Sequence, residues 1–432
     1  MRKIFLSLCL VAAVCLQAKP AFDFCLGGIY YRIDQNAALV TKGEAPYVGD
    51  VTIPEQIGTM AGEFAVTGID AKAFYGSKTM TSVTYPATVT TIGENAFTGC
   101  ESLEHFTISP QITFIAKSAF ENSGLEELTI PATVANIGDD LCKNCKALKR
   151  VVIENKQITE EQFANCPALE SVTISDNVLT IKKKAFFKCT KLGAIVIPQS
   201  VTMIEERAFS GCTGLTEFHT SANLQVIRDE AFLNCSNIKT IDLGTSLTHI
   251  GKKAFSGTAV EQLSIPASIK TFGDGVFLNC KKLQSVELDN ATLSDGEFQG
   301  CENLSQVVFK VVPNGIPKNV FNGCVALTAI PLPEGIRTID YNAFHGCKGI
   351  KEITLPSTIE QIANGAFSGC AALNHIRCLA AQVPTTSGSA FTGIAKDGLK
   401  IEVPAVAIEA YKAAPGWKQF QPKEGQVFFP IE

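Results

Sequence analysis

The sequence predicts a repeat solenoid of about 16 short parallel strands with a cap at each end, and three observations predict it. A block of about 23 residues, reading roughly L-x-x-V-x-I-P-x-x-V-x-x-I-G-x-x-A-F-x-x-C, recurs from near Val48 to Phe391. An aromatic slot in this block is filled by Phe74, Phe97 and Phe120, then once by Cys142, then by Phe163 and each later copy to Phe391. Successive spacings are 23, 23, 22, 21, 23, 23, 23, 23, 22, 21, 23, 23, 23 and 24 residues. Five residues before the slot runs a second apolar column from Ile69 to Ile362, which only Thr386 in the last copy breaks. A unit of this size cannot bury both columns alone, whereas stacked copies build one continuous core.

The elements follow in chain order. Met1-Arg2-Lys3, an apolar run from Ile4 to Leu16 and Gln17-Ala18 have the pattern of a secretory signal peptide over residues 1–18. The run is too short to span a bilayer, and no later stretch approaches the length of a membrane helix, so no transmembrane segment is expected in the mature chain. Cys9 follows Leu8 and Cys15 follows Val14, where a bacterial lipid-attachment site would want a small residue. The reading is an exported chain, secreted or held at the cell surface.

Residues 19–65 read as an N-terminal cap and first strand, with a hairpin around Ile29 to Ile33 and the strand-like Val51-Thr52-Ile53-Pro54. Extra residues around Gly58 to Ala65 predict a projecting loop. Residues 66–397 are the repeats. In each, the segment before proline alternates apolar and polar, as in Leu125 to Ile130 before Pro131 or Leu192 to Ile197 before Pro198, which predicts a strand that the proline ends. Residues 398–432 form the C-terminal cap: Val406, Ile408 and Tyr411 have helical spacing, Pro415-Gly416 stops the helix, and Trp417 closes the last coil.

Sixteen cysteines in an exported chain suggest a disulfide framework, but their placement argues against one. Eleven, from Cys100 to Cys370, occupy one column three residues after the aromatic slot, and Ser77, Ser123, Thr258 and Ile394 replace them elsewhere. Such interchange fits a small buried slot better than a disulfide or metal site, each of which needs specific partners. Cys142 and Cys145 are the one local pair with metal-like spacing. The five histidines fall in five different copies, so no metal and no cofactor are expected.

Removing residues 1–18 takes away Arg2 and Lys3 and leaves 35 basic against 42 acidic residues, a formal charge of −7. A nucleic-acid partner is therefore not expected, and Lys182-Lys183-Lys184 reads as a solvated turn. No hydrolase, phosphate-loop or calcium-loop motif is present, and Asp139-Asp140 is a lone acidic pair, so no enzyme activity is expected. What the repeat offers is a long face of outward strand positions. Two outward columns end in Glu352, His375, Lys400 and in Thr354, Arg377, Glu402. Glu352, His375, Arg377 and Lys400 are the candidate ligand-binding residues, a concave charged patch suited to an acidic loop or a sugar, set against the ordinary polarity of any surface.

The run from Ser82-Val83-Thr84-Tyr85-Pro86 to Ile92-Gly93-Glu94-Asn95-Ala96-Phe97-Thr98-Gly99-Cys100 resembles the BspA-like leucine-rich-repeat proteins of bacterial surfaces. The ending from Val403-Pro404 through Tyr411 to Trp417 is similar to that family's C-terminal cap. The resemblance implies a right-handed leucine-rich-repeat solenoid, exported or surface-exposed, that adheres to host or bacterial surface proteins and has no catalytic residues. The chain departs from the family pattern in having no evident lipid-attachment cysteine or sorting domain. The alternative reading is capture of glycans or a peptide as an accessory to nutrient uptake; the outward strand positions carry almost no aromatic platforms for sugars.

Overall fold

The computed structural model describes residues 22–421 and 425–431. The expected signal peptide, with Cys9 and Cys15, lies outside the described residues. From Ile69 onward each copy makes one coil, and up to three backbone ladders tie a coil to the next.

The first ladder is built from the alternating segments. Glu127–Ile130, Arg150–Ile153 and Ser171–Ile174 pair in parallel, residue for residue, so Leu128 lies over Val151 and Glu127 over Arg150. Alternation puts one set of side chains into the core and the other into solvent: Leu128 and Ile130 are buried, Glu127 and Thr129 exposed. Pro131, Pro266 and Pro356 directly follow the strands ending at Ile130, Ile265 and Leu355, as proline's missing donor requires. Leu192 to Ile197 differs: no strand forms there, although Pro198 follows. At residues 104–108 a side chain stands in for the ladder, because the Tyr85 hydroxyl accepts from the Ser109 N–H at 2.9 Å and donates to the Thr107 carbonyl at 2.7 Å.

The second ladder is the isoleucine column, in two-residue strands such as Thr91–Ile92, Phe114–Ile115 and Asn136–Ile137. The third runs along the turns around the aromatic slot, where the Phe97 N–H donates to the Ala119 carbonyl at 2.7 Å and the Phe120 N–H to the Leu141 carbonyl at 2.9 Å. The turn two residues past the slot needs a left-handed backbone. Gly99 (φ 74°) supplies it without strain, and Asn122 (φ 55°) and Asn144 (φ 62°) tolerate it.

Inside, the slot rings stack coil upon coil. From Phe163 to Phe391 neighbouring ring centroids lie 5.1–5.9 Å apart with planes within 14° of parallel. Cys142 separates this stack from the shorter one at Phe74, Phe97 and Phe120. The column cysteines do more than fill space. Each donates its thiol to the carbonyl of the slot residue one coil earlier, as Cys100 does to Phe74 at 3.2 Å and Cys235 to Phe209 at 3.1 Å. Cys166 does so to Cys142 at 3.1 Å, so the bond does not depend on an aromatic ring. All described cysteines are free thiols, and only Cys25 among them is exposed.

The two coils of 21 residues interrupt the isoleucine ladder. Between Ile153 and Ile158, and again between Leu288 and Leu293, two residues are missing relative to a coil such as Ile130 to Ile137, and buried Asn155 and Asn290 occupy the shortened turns. In ordinary coils the N–H after the column donates to the preceding column carbonyl, as Gly138 does to Ile115 at 2.8 Å. Here a side chain captures it instead. Gln162 Oε1 accepts the Thr159 N–H at 2.8 Å, and Glu297 Oε2 accepts the Ser294 N–H at 3.0 Å. Ile158 keeps a single bridge to Ile181, and Leu293 pairs with nothing in this ladder.

The ends are closed by different means. At the N-terminus Phe24–Leu26, Ile29–Asp34 and Ala37–Val40 form an antiparallel meander, whose last strand joins the isoleucine ladder in parallel through Gly62–Ile69. The extra residues near Gly58 form a hairpin of Gln56–Thr59 with Gly62–Ile69 rather than an irregular loop, its tip marked by fully exposed Met60. At the C-terminus a 3-10 turn, Ala405–Ala407, leads into the helix Ile408–Ala413, and Phe428–Pro430 adds a final parallel strand to Lys400–Val403. Trp417 is buried against Phe391, and its indole N–H donates to Thr386 Oγ1 at 2.9 Å. That bond accounts for the threonine in the last copy of the isoleucine column.

Candidate functional site

The strand face ends in the ladder Glu352–Leu355, His375–Cys378, Lys400–Val403, held by the inward Ile353, Ile376 and Ile401. Register alone aligns Glu352, His375 and Lys400 in one outward row and Thr354, Arg377 and Glu402 in the next. All four candidate residues are therefore neighbours.

Their charges converge on Glu402, a residue that the sequence placed in the outward column without assigning it to the site. Its carboxylate pairs with Lys400 Nζ and lies 3.5 Å from His375 Nε2 and 3.7 Å from Arg377 Nε. Glu402 is only 18% exposed, and the Lys400 ammonium holds its carboxyl below the usual carboxylate range. Glu352 reaches His375 Nδ1 at 3.7 Å and is otherwise open, 69% exposed. Lys400 also lies over the Phe429 ring at 5.8 Å. The patch is thus a half-neutralised network that still presents Glu352, Arg377 and Lys400 to solvent. The sequence signal for Glu402 was its place two residues after Lys400 on one strand and opposite Arg377 in the outward column.

The other candidate groups do not converge. His105, His219 and His345 are exposed in separate coils; His249 is half-buried in another. The lysine triplet is an ion-pair array: Lys182 pairs with Glu205 at 3.1 Å, Lys183 with Glu206 at 3.5 Å and Lys184 with Glu161 at 2.7 Å. Asp140 lies between Lys117 and Lys143. Cys142 is sealed in the core, and burial pushes its thiol well above its ordinary pKa. Among the described residues no group of three or more His, Cys, Asp or Glu side chains is placed to hold a metal ion. Among them, too, no helix is long and apolar enough to cross a membrane.

This architecture is that of a leucine-rich-repeat solenoid. The sequence matches the BspA type leucine rich repeat region over residues 67–189, 156–284 and 291–405, in 6 copies, and the chain belongs to that family. No curated protein matches its sequence. In fold it is similar to a leucine-rich repeat protein from Bacteroides ovatus, at 23% identity and TM-score 0.61, over 95% of this chain and 100% of that one. A leucine rich cell surface protein from Faecalibacterium prausnitzii is 23% identical over 82% of this chain and 94% of its own, at TM-score 0.34. The pneumococcal vaccine antigen PcpA is 17% identical over 90% and 95%, at TM-score 0.34.

Proposed function

We propose that the chain is an exported, non-catalytic recognition protein that binds a protein ligand of a host or bacterial surface along its strand face. It comprises a signal peptide at 1–18, an N-terminal cap at 19–65, repeats at 66–397 and a C-terminal cap at 398–432. One observation carries the reading: parallel register lines up exposed side chains row upon row, as at Glu352, His375 and Lys400, on a rigid backbone. Such a face makes many modest contacts rather than one pocket, and its rigidity limits the entropy lost on binding. Glu352, His375, Arg377 and Lys400 form one contact area within it, oriented by Glu402. The test is binding of signal-free protein to an array of extracellular-matrix proteins and glycans. Retention on protein spots is the expected result; retention on glycan spots alone would replace this reading with glycan capture.

A further inference from the structure

The second short coil frees a backbone amide in the coil that follows it. In intact coils the residue before the isoleucine column donates its N–H to the preceding coil, as His249 does to the Gln225 carbonyl at 3.2 Å and Gln361 to the Arg337 carbonyl at 3.1 Å. Gly315 holds that position beside Leu293, which pairs with nothing in this ladder. Asn314 and Ile316 turn their carbonyls to the next coil, accepting from the Arg337 N–H at 3.1 Å and the Asp340 N–H at 2.9 Å, so the Gly315 N–H between them points back at the short coil. It has no partner among the described residues. Pro317, next after the column residue Ile316, has no N–H with which to restore the contact. An open cavity of about 410 Å³ marks the break, lined by Thr292, Asn314, Gly315 and Asp340 among others.

Asn314 directly precedes this free amide. Its side chain is exposed and makes no hydrogen bond among the described residues. The chain has three Asn-Gly pairs, and the fold treats them differently. Asn322 Nδ2 donates to Asn319 Oδ1 at 3.3 Å, and the Gly323 N–H donates to the His345 carbonyl at 2.8 Å. Asn364 Oδ1 accepts the hydroxyls of Ser387 and Ser389, and Gly365 is buried. Of the three, Asn314 alone combines a loose side-chain amide, an unbonded glycine N–H and contact with water.

We propose that Asn314 is a self-modifying site, converted to aspartate and isoaspartate by its own backbone. The Gly315 amide nitrogen, its proton taken by hydroxide, attacks Asn314 Cγ. A C–N bond closes the succinimide ring while the bond from Cγ to the side-chain nitrogen breaks, and that nitrogen leaves as ammonia with a proton from water. Water then opens the ring at either carbonyl, so one water is consumed and one ammonia released overall. Glycine suits the step, having no Cβ to hinder ring closure and the freest backbone. An N–H held in a ladder would first have to give up its hydrogen bond. Each conversion puts a new carboxylate into the cavity with Asp340, and isoaspartate adds a methylene to the backbone where the strand Gly315–Ile316 begins. The reaction needs no partner and is independent of the strand face.

Peptide mass mapping of signal-free protein aged in warm, mildly alkaline buffer tests it, because trypsin releases Asn314 in Val311–Lys318, apart from Asn322 and Asn364. In native protein the Asn314 amide should turn to acid at least about tenfold faster than the amides of Asn322 and Asn364. The same ageing in urea should bring the three rates within about threefold, since glycine follows each asparagine. Val311–Lys318 should then elute as separate aspartate and isoaspartate products, the signature of a ring intermediate. A persistent Asn314 amide, equal rates in the native protein, a tenfold difference that survives in urea, or aspartate as the sole product would each overturn the proposal.

Discussion

Two buried columns give the residue-scale predictions. Glu297 and Gln162 occupy the slot-preceding position where most coils have alanine, and both hold the N–H freed by a shortened turn. Burial pushes the Glu297 carboxyl from 4.5 up to about 8, so the folded protein holds it protonated where the unfolded chain ionises. Stability from this group is complete below the unfolded value, falls as pH rises through the folded value, and is flat above it. The loss is on the order of 3–5 kcal/mol between acid and mildly alkaline solution. Glu297→Gln keeps the acceptor for the Ser294 N–H and should remove that dependence; denaturant midpoints at several pH values check it, and an unchanged profile would refute it. In the cysteine column, burial pushes the Cys235 thiol up to about 12, while Cys25 is exposed. Iodoacetamide should therefore label Cys25 alone among the described cysteines until denaturant is added, as peptide mass mapping would read. Cys235→Ser keeps a hydroxyl donor at this position, whereas Cys235→Ala should cost about 1–2 kcal/mol more by losing the bond to the Phe209 carbonyl.

At the scale of the coil, each unit leans on its neighbours through up to three ladders and, outside the Cys142 coil, through the ring stack. Phe232 is fully buried between Phe209 and Phe255, so Phe232→Ala should cost about 3–5 kcal/mol. Hydrogen exchange should rise first in the coils flanking Phe232; uniform loosening from end to end would contradict nearest-neighbour stacking. Most of this coil was legible in the sequence, because period, aromatic slot and isoleucine column are properties of spacing, and stacked burial preserves spacing. The shortened turns were legible as spacings of 21 but not as broken ladders. The clue was that Gln162 and Glu297 leave the alanine column in the same two copies that carry Asn155 and Asn290. The Tyr85 hydroxyl bridge and the strand Phe428–Pro430 gave no periodic sign, since each depends on a single side chain or on contact with a distant coil.

At the scale of the molecule, register converts sequence columns into surface rows. The four candidate residues could be grouped from the sequence because parallel pairing preserves column order; the neutralising role of Glu402 depended on side-chain distances and emerged only in three dimensions. Exposed ion pairs contribute little to stability, so serine at Glu352, His375, Arg377 and Lys400 should leave the fold intact. A matched control replaces Lys183, Glu206, Arg207 and Glu230, four charged residues of the turn side. The decisive measurement is binding of wild type and both variants to the same array of matrix proteins and glycans. Recognition through the strand face predicts protein spots weakened at least about tenfold by the first variant and unchanged by the second. Equal loss in both variants, or none in either, would contradict it.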